Sequence, residues 1–176
     1  MTGRVLRMMI LIAALASVAA LASCGSDDDD DSGGDGGSGG QRAQTETAPD
    51  LTDTSTKPVI EKPTGSPPRQ LVVEDIVKGK GRAAKRGDTL VVHYVGVSFS
   101  NGQQFDSSWD SGQPFPVKLG AGQVIPGWEK GLLGMRKGGR RKLLIPPELA
   151  YGARGYPPAI APNETLVFVV DAIELQ

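Results

Sequence analysis

The chain has 176 residues, one cysteine and a formal net charge of −1, with 39% hydrophobic residues. That length holds one domain with some chain to spare, and a lone cysteine excludes an internal disulfide and any multi-cysteine zinc site. The charge is uneven. Cys24 to Arg69 carries 10 acidic and 4 basic residues, whereas Gln70 to Gln176 carries 10 acidic and 13 basic. A balance of +3 on the second part gives no basis for nucleic-acid binding.

Arg4 and Arg7 precede an apolar run, Met8 to Leu15, that continues through small residues to Ala22. A positive start, a short apolar core and small residues make residues 1–23 a secretory signal peptide. The run is too short and too alanine-rich for a membrane span. Leu21-Ala22-Ser23-Cys24 resembles the bacterial lipobox, in which the cysteine is lipidated and becomes the mature N-terminus. The alternative is a free cysteine left in a cleaved leader. A diacylated Cys24, as the resemblance implies, is a stable anchor, because one acyl chain holds only marginally and two hold well. The expected location is therefore extracytoplasmic, lipid-anchored to the bacterial cell membrane.

Residues 24–69 read as a disordered linker. Asp27 to Asp31 is followed by a Gly/Ser tract to Gly40, then by Thr and Ser with Pro49, Pro58, Pro63, Pro67 and Pro68. Few of these side chains can be buried, and the proline-bearing half is stiffer and more extended. The aspartate run is a solvated spacer rather than a metal site, since consecutive like charges resist folding. As a tether, Gly25 to Arg69 spans on the order of 35–40 Å on average.

The folded part is placed at residues 70–176. Leu71 to Val77 reads as a strand, and Gly79 and Gly81 mark a turn. Thr89 to Phe99 is a long β-branched strand before an Asn101-Gly102 hairpin signal. Phe115 to Leu119 is a short strand. Pro126 suits a first helical position, where its missing N–H costs nothing, and Gly127 to Leu133 is a short helix with Gly134 near its C-terminus. Arg140 to Ile145 is a strand stopped by Pro146-Pro147. A Gly/Pro/Tyr-rich loop then leads to a closing strand, Thr165 to Leu175. Many strands and one short helix predict an antiparallel sheet with the helix packed on one face.

The aromatic residues are the candidates for chemistry. Tyr94, Phe105, Phe115, Trp128, Tyr151 and Phe168, with Asp106 and the string Gln123-Val124-Ile125-Pro126-Gly127-Trp128, suggest an aromatic-walled cavity able to grip a proline ring. Singly, each aromatic is more often core, and Asp106 alone would be a turn residue after a strand. His93 alternates with Tyr94, so the two face opposite sides of the strand, and His93 is read as structural. Arg136 to Lys142, with five basic residues, is a solvated hairpin turn and the strand after it rather than a lipid-headgroup patch. Lys78-Gly79-Lys80-Gly81 lacks the Gly-Lys-Ser/Thr of a phosphate loop.

The strings VVHYVG (91–96), QFDSSWD (104–110), PF (114–115), GQVIPGWEKGLLGM (122–135), GGRRKLLIPPELAYGARG (138–155) and TLVFVVDAIEL (165–175) together resemble an FKBP-type peptidyl-prolyl isomerase, an immunophilin. The resemblance runs collinearly over about residues 70–176. It implies an α+β fold, a five-stranded antiparallel sheet half-wrapped around the short helix. It also implies Trp128 as a pocket floor, with Tyr94, Phe105 and Phe168 as walls and Asp106 at the edge. Phe115, Val124, Ile125, Tyr156 and Ile160 line the substrate path. The Ile125 N–H and the Tyr151 hydroxyl are the implied donors to substrate or macrolide carbonyls. Ser111 stands where relatives often carry an arginine partner for the aspartate, so Asp106 is expected to be less pinned, in a more negative field. Tyr156 and Ala159 depart from the family's usual rim. The implied activity is non-covalent rotation of Xaa-Pro bonds in exported proteins, by a monomer, with no cofactor or metal and with macrolides as inhibitors. The other readings are a proline-peptide docking module without turnover and a holdase.

Overall fold

The computed structural model describes residues 50–176. The residues read as a signal peptide, Cys24 and the aspartate run lie outside these residues. In chain order the elements are β1 (Val72–Val77), β2 (Thr89–Ser98), β3 (Gln104–Ser107), β4 (Phe115–Lys118), α1 (Pro126–Gly131), β5 (Arg140–Ile145) and β6 (Leu166–Leu175), with 3-10 turns at Pro147–Leu149 and Gly152–Arg154. The fold is α+β. All pairings are antiparallel, in the order β1-β5-β6-β2-β3, and β4 pairs with β2 beside β3. Thr89 to Val92 face β4 and Val95 to Val97 face β3. The sheet is therefore five ranks wide, with two short segments sharing its last rank. The segment absent from the expected strands is β3, whose four residues, with Phe105 the one apolar side chain, are too few to display the alternation that marks a half-buried strand.

The two faces of the sheet bury different things. Leu90, Val92, Tyr94, Leu143, Ile145, Phe168 and Val170 point inward and pack with Trp128, Leu132 and Met135 from α1 and the chain after it. The helix lies close to β5. A Cβ on Gly127 would stand 2.3 Å from Ile145, and one on Gly131 2.8 Å from Leu143. Pro126 occupies the helix start as expected. Arg141 closes the other end, its Nη1 donating to the carbonyls of Gly131 (2.7 Å) and Leu133 (2.8 Å). That satisfies acceptors a helix end otherwise leaves to water.

On the outer face, Val95, Val97, Phe99 and Val167 form a second cluster, against which Leu144, Trp109 and Ile60 pack. Ile60 belongs to residues read above as linker. That expectation is corrected for the described part of the linker. Arg140, fully buried, pairs with Asp171 and also donates to the carbonyls of Leu51 (3.2 Å) and Thr56 (2.8 Å). Pro58 is buried, and Lys57 pairs with Asp110. The physical reason is the outward row of β-branched residues, which needs a cover. A proline-bearing segment already extended loses little entropy in supplying one. Arg136 to Gly138 form an exposed turn before β5, as expected, but Arg140 and Arg141 within that strand are both buried.

Candidate active site

Four rings meet on the inner face at the α1 side of β2 and β6. Trp128 and Tyr94 lie 5.1 Å apart at 85°, Trp128 and Phe168 5.2 Å apart at 81°, and Phe105 and Phe168 5.5 Å apart at 87°. Edge-to-face contact is the arrangement the ring quadrupoles favour. Register explains the meeting. Gly96 pairs with Phe168 on β6 and Asp106 on β3, and a Cβ at Gly96 would sit 2.7 Å from both phenyl rings. Glycine leaves the space the two walls use. Trp128 is buried, and among the described residues its indole N–H has no acceptor.

Around this buried base stands a half-buried rim of Phe105, Phe115, Val124, Ile125, Tyr151 and Tyr156, with Ile160 buried beneath. Phe115 approaches Tyr94 at 6.2 Å, and Tyr151 approaches Tyr156 at 5.9 Å. Local bonds hold the rim. Ile125 caps α1, its carbonyl accepting from the N–H groups of Trp128 and Glu129. The Glu129 carboxylate reaches back to the N–H of Gly122 (2.7 Å) and of Gly120. Tyr156 and Ile160 exchange both main-chain bonds, at 2.8 and 2.9 Å. Glu164 accepts the Ser100 N–H and hydroxyl, tying the turn before β6 to the β2–β3 hairpin.

The polar member is Asp106. Tyr94 donates its hydroxyl to Oδ2 at 2.8 Å. Burial pushes the Asp106 carboxyl above the usual carboxylate range, opposed by the Tyr94 and Ser107 hydrogen bonds. Burial, with the Asp106 charge beside it, raises the Tyr94 hydroxyl, and the same two causes raise Tyr151. Asp106 is thus held by a phenol rather than a cation. Ser111 instead donates to the Ser108 carbonyl (3.0 Å). All eleven pocket candidates lie in or against this one assembly, and His93 lies across the sheet, stacked on Trp109 at 4.5 Å. What sequence reasoning missed is Ser108 and Trp109. The signal available was the Ser-Ser-Trp run directly after Asp106.

The FKBP-type peptidyl-prolyl cis-trans isomerase family model matches residues 80–173. The chain belongs to this family. A relative named FK506-binding protein from Streptomyces anulatus is 53% identical over 118 residues, covering 66% of this chain and 95% of the relative. A probable FK506-binding protein from Corynebacterium glutamicum is 49% identical, covering 66% and 97%. Among solved structures, FkpA from Escherichia coli superposes with a TM-score of 0.55 at 47% identity, covering 60% of this chain and 48% of that one. The chain is a peptidyl-prolyl isomerase, and the family-model match on this isomerase begins after the outer-face segment 51–62.

Proposed function

We propose that this isomerase turns Xaa-Pro bonds in the ring assembly built on Trp128, by preferential binding of the twisted amide. The carrying observation is that Tyr94, Phe105, Trp128 and Phe168 meet edge to face with one carboxylate, Asp106, accepting from the Tyr94 hydroxyl. The uncatalysed barrier is about 20 kcal/mol, set by amide resonance. Twisting removes that resonance and part of the charge separation. A water-poor apolar surface therefore favours the twisted form over the planar one, which is differential binding without covalent chemistry. Trp128 lies under the pyrrolidine, with Tyr94, Phe105 and Phe168 at its sides. The Ile125 N–H and Tyr151 hydroxyl donate to substrate carbonyls, and Phe115, Val124, Tyr156 and Ile160 border the bound chain. The same surface takes macrolides. In a protease-coupled assay on an Xaa-Pro tetrapeptide, Trp128→Ala and Tyr94→Ala each lower kcat/KM by about tenfold or more, the equivalent of ~1.4 kcal/mol, and His93→Ala lowers it less. Equal losses in three folded variants would place the site elsewhere.

We further infer that the protein is exported and held at the membrane through a lipidated Cys24, where it acts as a monomer on exported polypeptides. The support is the order of charges, apolar run and small residues before Cys24. Cys24→Ser then moves the protein from the membrane to the soluble fraction, and unchanged membrane retention would refute the anchor.

A further inference from the structure

Where β3 ends beside Asp106, a side chain stands in for the backbone. Ser108 donates its N–H to the Tyr94 carbonyl at 3.1 Å, as the next rung of the β2–β3 ladder requires. The return rung does not use the Ser108 carbonyl. The Tyr94 N–H donates to the Ser108 hydroxyl at 2.9 Å, and the freed carbonyl accepts from the Ser111 hydroxyl at 3.0 Å. Strand pairing stops there and the chain turns away. Ser108 is buried, so its hydroxyl proton must find a protein acceptor. His93 Nδ1 lies 3.0 Å away. With Nδ1 unprotonated, the hydroxyl accepts from Tyr94 and donates to His93, and both bonds fix its orientation. The His93 ring is held by stacking on Trp109, which packs in the outer cluster.

We propose that Ser108 is a positioning residue of the isomerase: by replacing its own carbonyl in the ladder it fixes β3 against Tyr94, so that Asp106 and the Tyr94 hydroxyl meet at the edge of the ring assembly. The inference rests on that assembly being the site of turnover. Only Ser107 lies between Asp106 and Ser108. The Tyr94 backbone is itself part of this rung, and Asp106, paired with Gly96, is one residue removed from it along β3. His93, otherwise without a part in the chemistry, orients the hydroxyl.

Three variants test it: Ser108→Ala, which deletes the hydroxyl, Ser108→Thr, which keeps it, and Tyr94→Phe, which deletes the Asp106 bond directly. The readouts are kcat/KM on an Xaa-Pro tetrapeptide and the titration of the Asp106 carboxyl carbon followed by NMR. Ser108→Ala should lower kcat/KM about tenfold and move the Asp106 titration to higher pH, because a bond that favours the ionised form is weakened. Ser108→Thr should stay within about twofold of the parent with the parent titration. In the Tyr94→Phe background, Ser108→Ala should move the titration no further. A parent-like titration in folded Ser108→Ala, a Thr variant as impaired as Ala, or a further shift on Tyr94→Phe would each overturn the proposal. The titration needs no turnover, so failure of the pocket assignment would show separately, as full activity in Trp128→Ala.

Discussion

Arg140 and Asp171 form the most deeply buried ion pair among the described residues, with side chains 0% and 2% exposed. Removing one partner strands the other charge away from water. Arg140→Met alone is expected to cost about 3–5 kcal/mol, and Arg140→Met with Asp171→Leu to recover most of it, as urea titrations would measure. Burial raises the Asp171 carboxyl, with Arg140 acting against it. His93, its neighbour across β2 and β6, is held below the usual imidazole range by burial, with the Asp171 charge opposing. The sign is then fixed. The unfolded chain takes up the imidazole proton first, so this contribution to stability is present above about pH 6.5 and is lost as pH falls from there toward the folded value. His93→Gln should flatten the fall of the thermal midpoint between pH 7.5 and 5.5. An identical slope in both proteins would refute the linkage.

Elements whose signals are local were readable in the sequence. Pro126 at the start of α1 and the β-branched run of β2 gave boundaries within a residue or two, because helix entry and strand propensity are set by near neighbours. The glycines of α1 follow the same logic at closer range. Gly127→Ala must displace Ile145 or the helix and should cost about 1–3 kcal/mol by overpacking, read as a lower urea midpoint with an unchanged slope. Elements fixed by distant partners were not readable. The burial of Arg140 and Arg141 was not legible because their acceptors lie 31 and 66 residues away at Asp171 and Asp75, and at the end of α1. The segment 51–62 has the composition of a spacer, and only the apolar back of the sheet makes it structure. Removing residues 1–49 should leave the melting temperature unchanged, whereas removing residues 1–62 should lower it clearly. Equal melting temperatures would mean the segment adds nothing.

Across the molecule, the sheet separates two clusters, and each holds one of the two tryptophans, Trp128 within and Trp109 without. The ring assembly was legible because its residues recur in a recognisable order. Its support was not, because the part played by Ser108 depends on which rung of the β2–β3 ladder it occupies. A single cooperative unit requires tryptophan fluorescence of a Trp128→Phe variant, which reports only Trp109, to follow far-ultraviolet circular dichroism through one urea transition. An earlier fluorescence step would mean that the back of the sheet opens first.

The segment 51–62 also sets a load path. Tension entering from upstream of Asp50 is met first by the carbonyls gripped by Arg140 and by the seated ring of Pro58, on the side of the sheet away from Trp128. The rings on the opposite side are reached only after that grip has slipped, so a pull from upstream of Asp50 spends itself on the back of the sheet before it disturbs the inner rings.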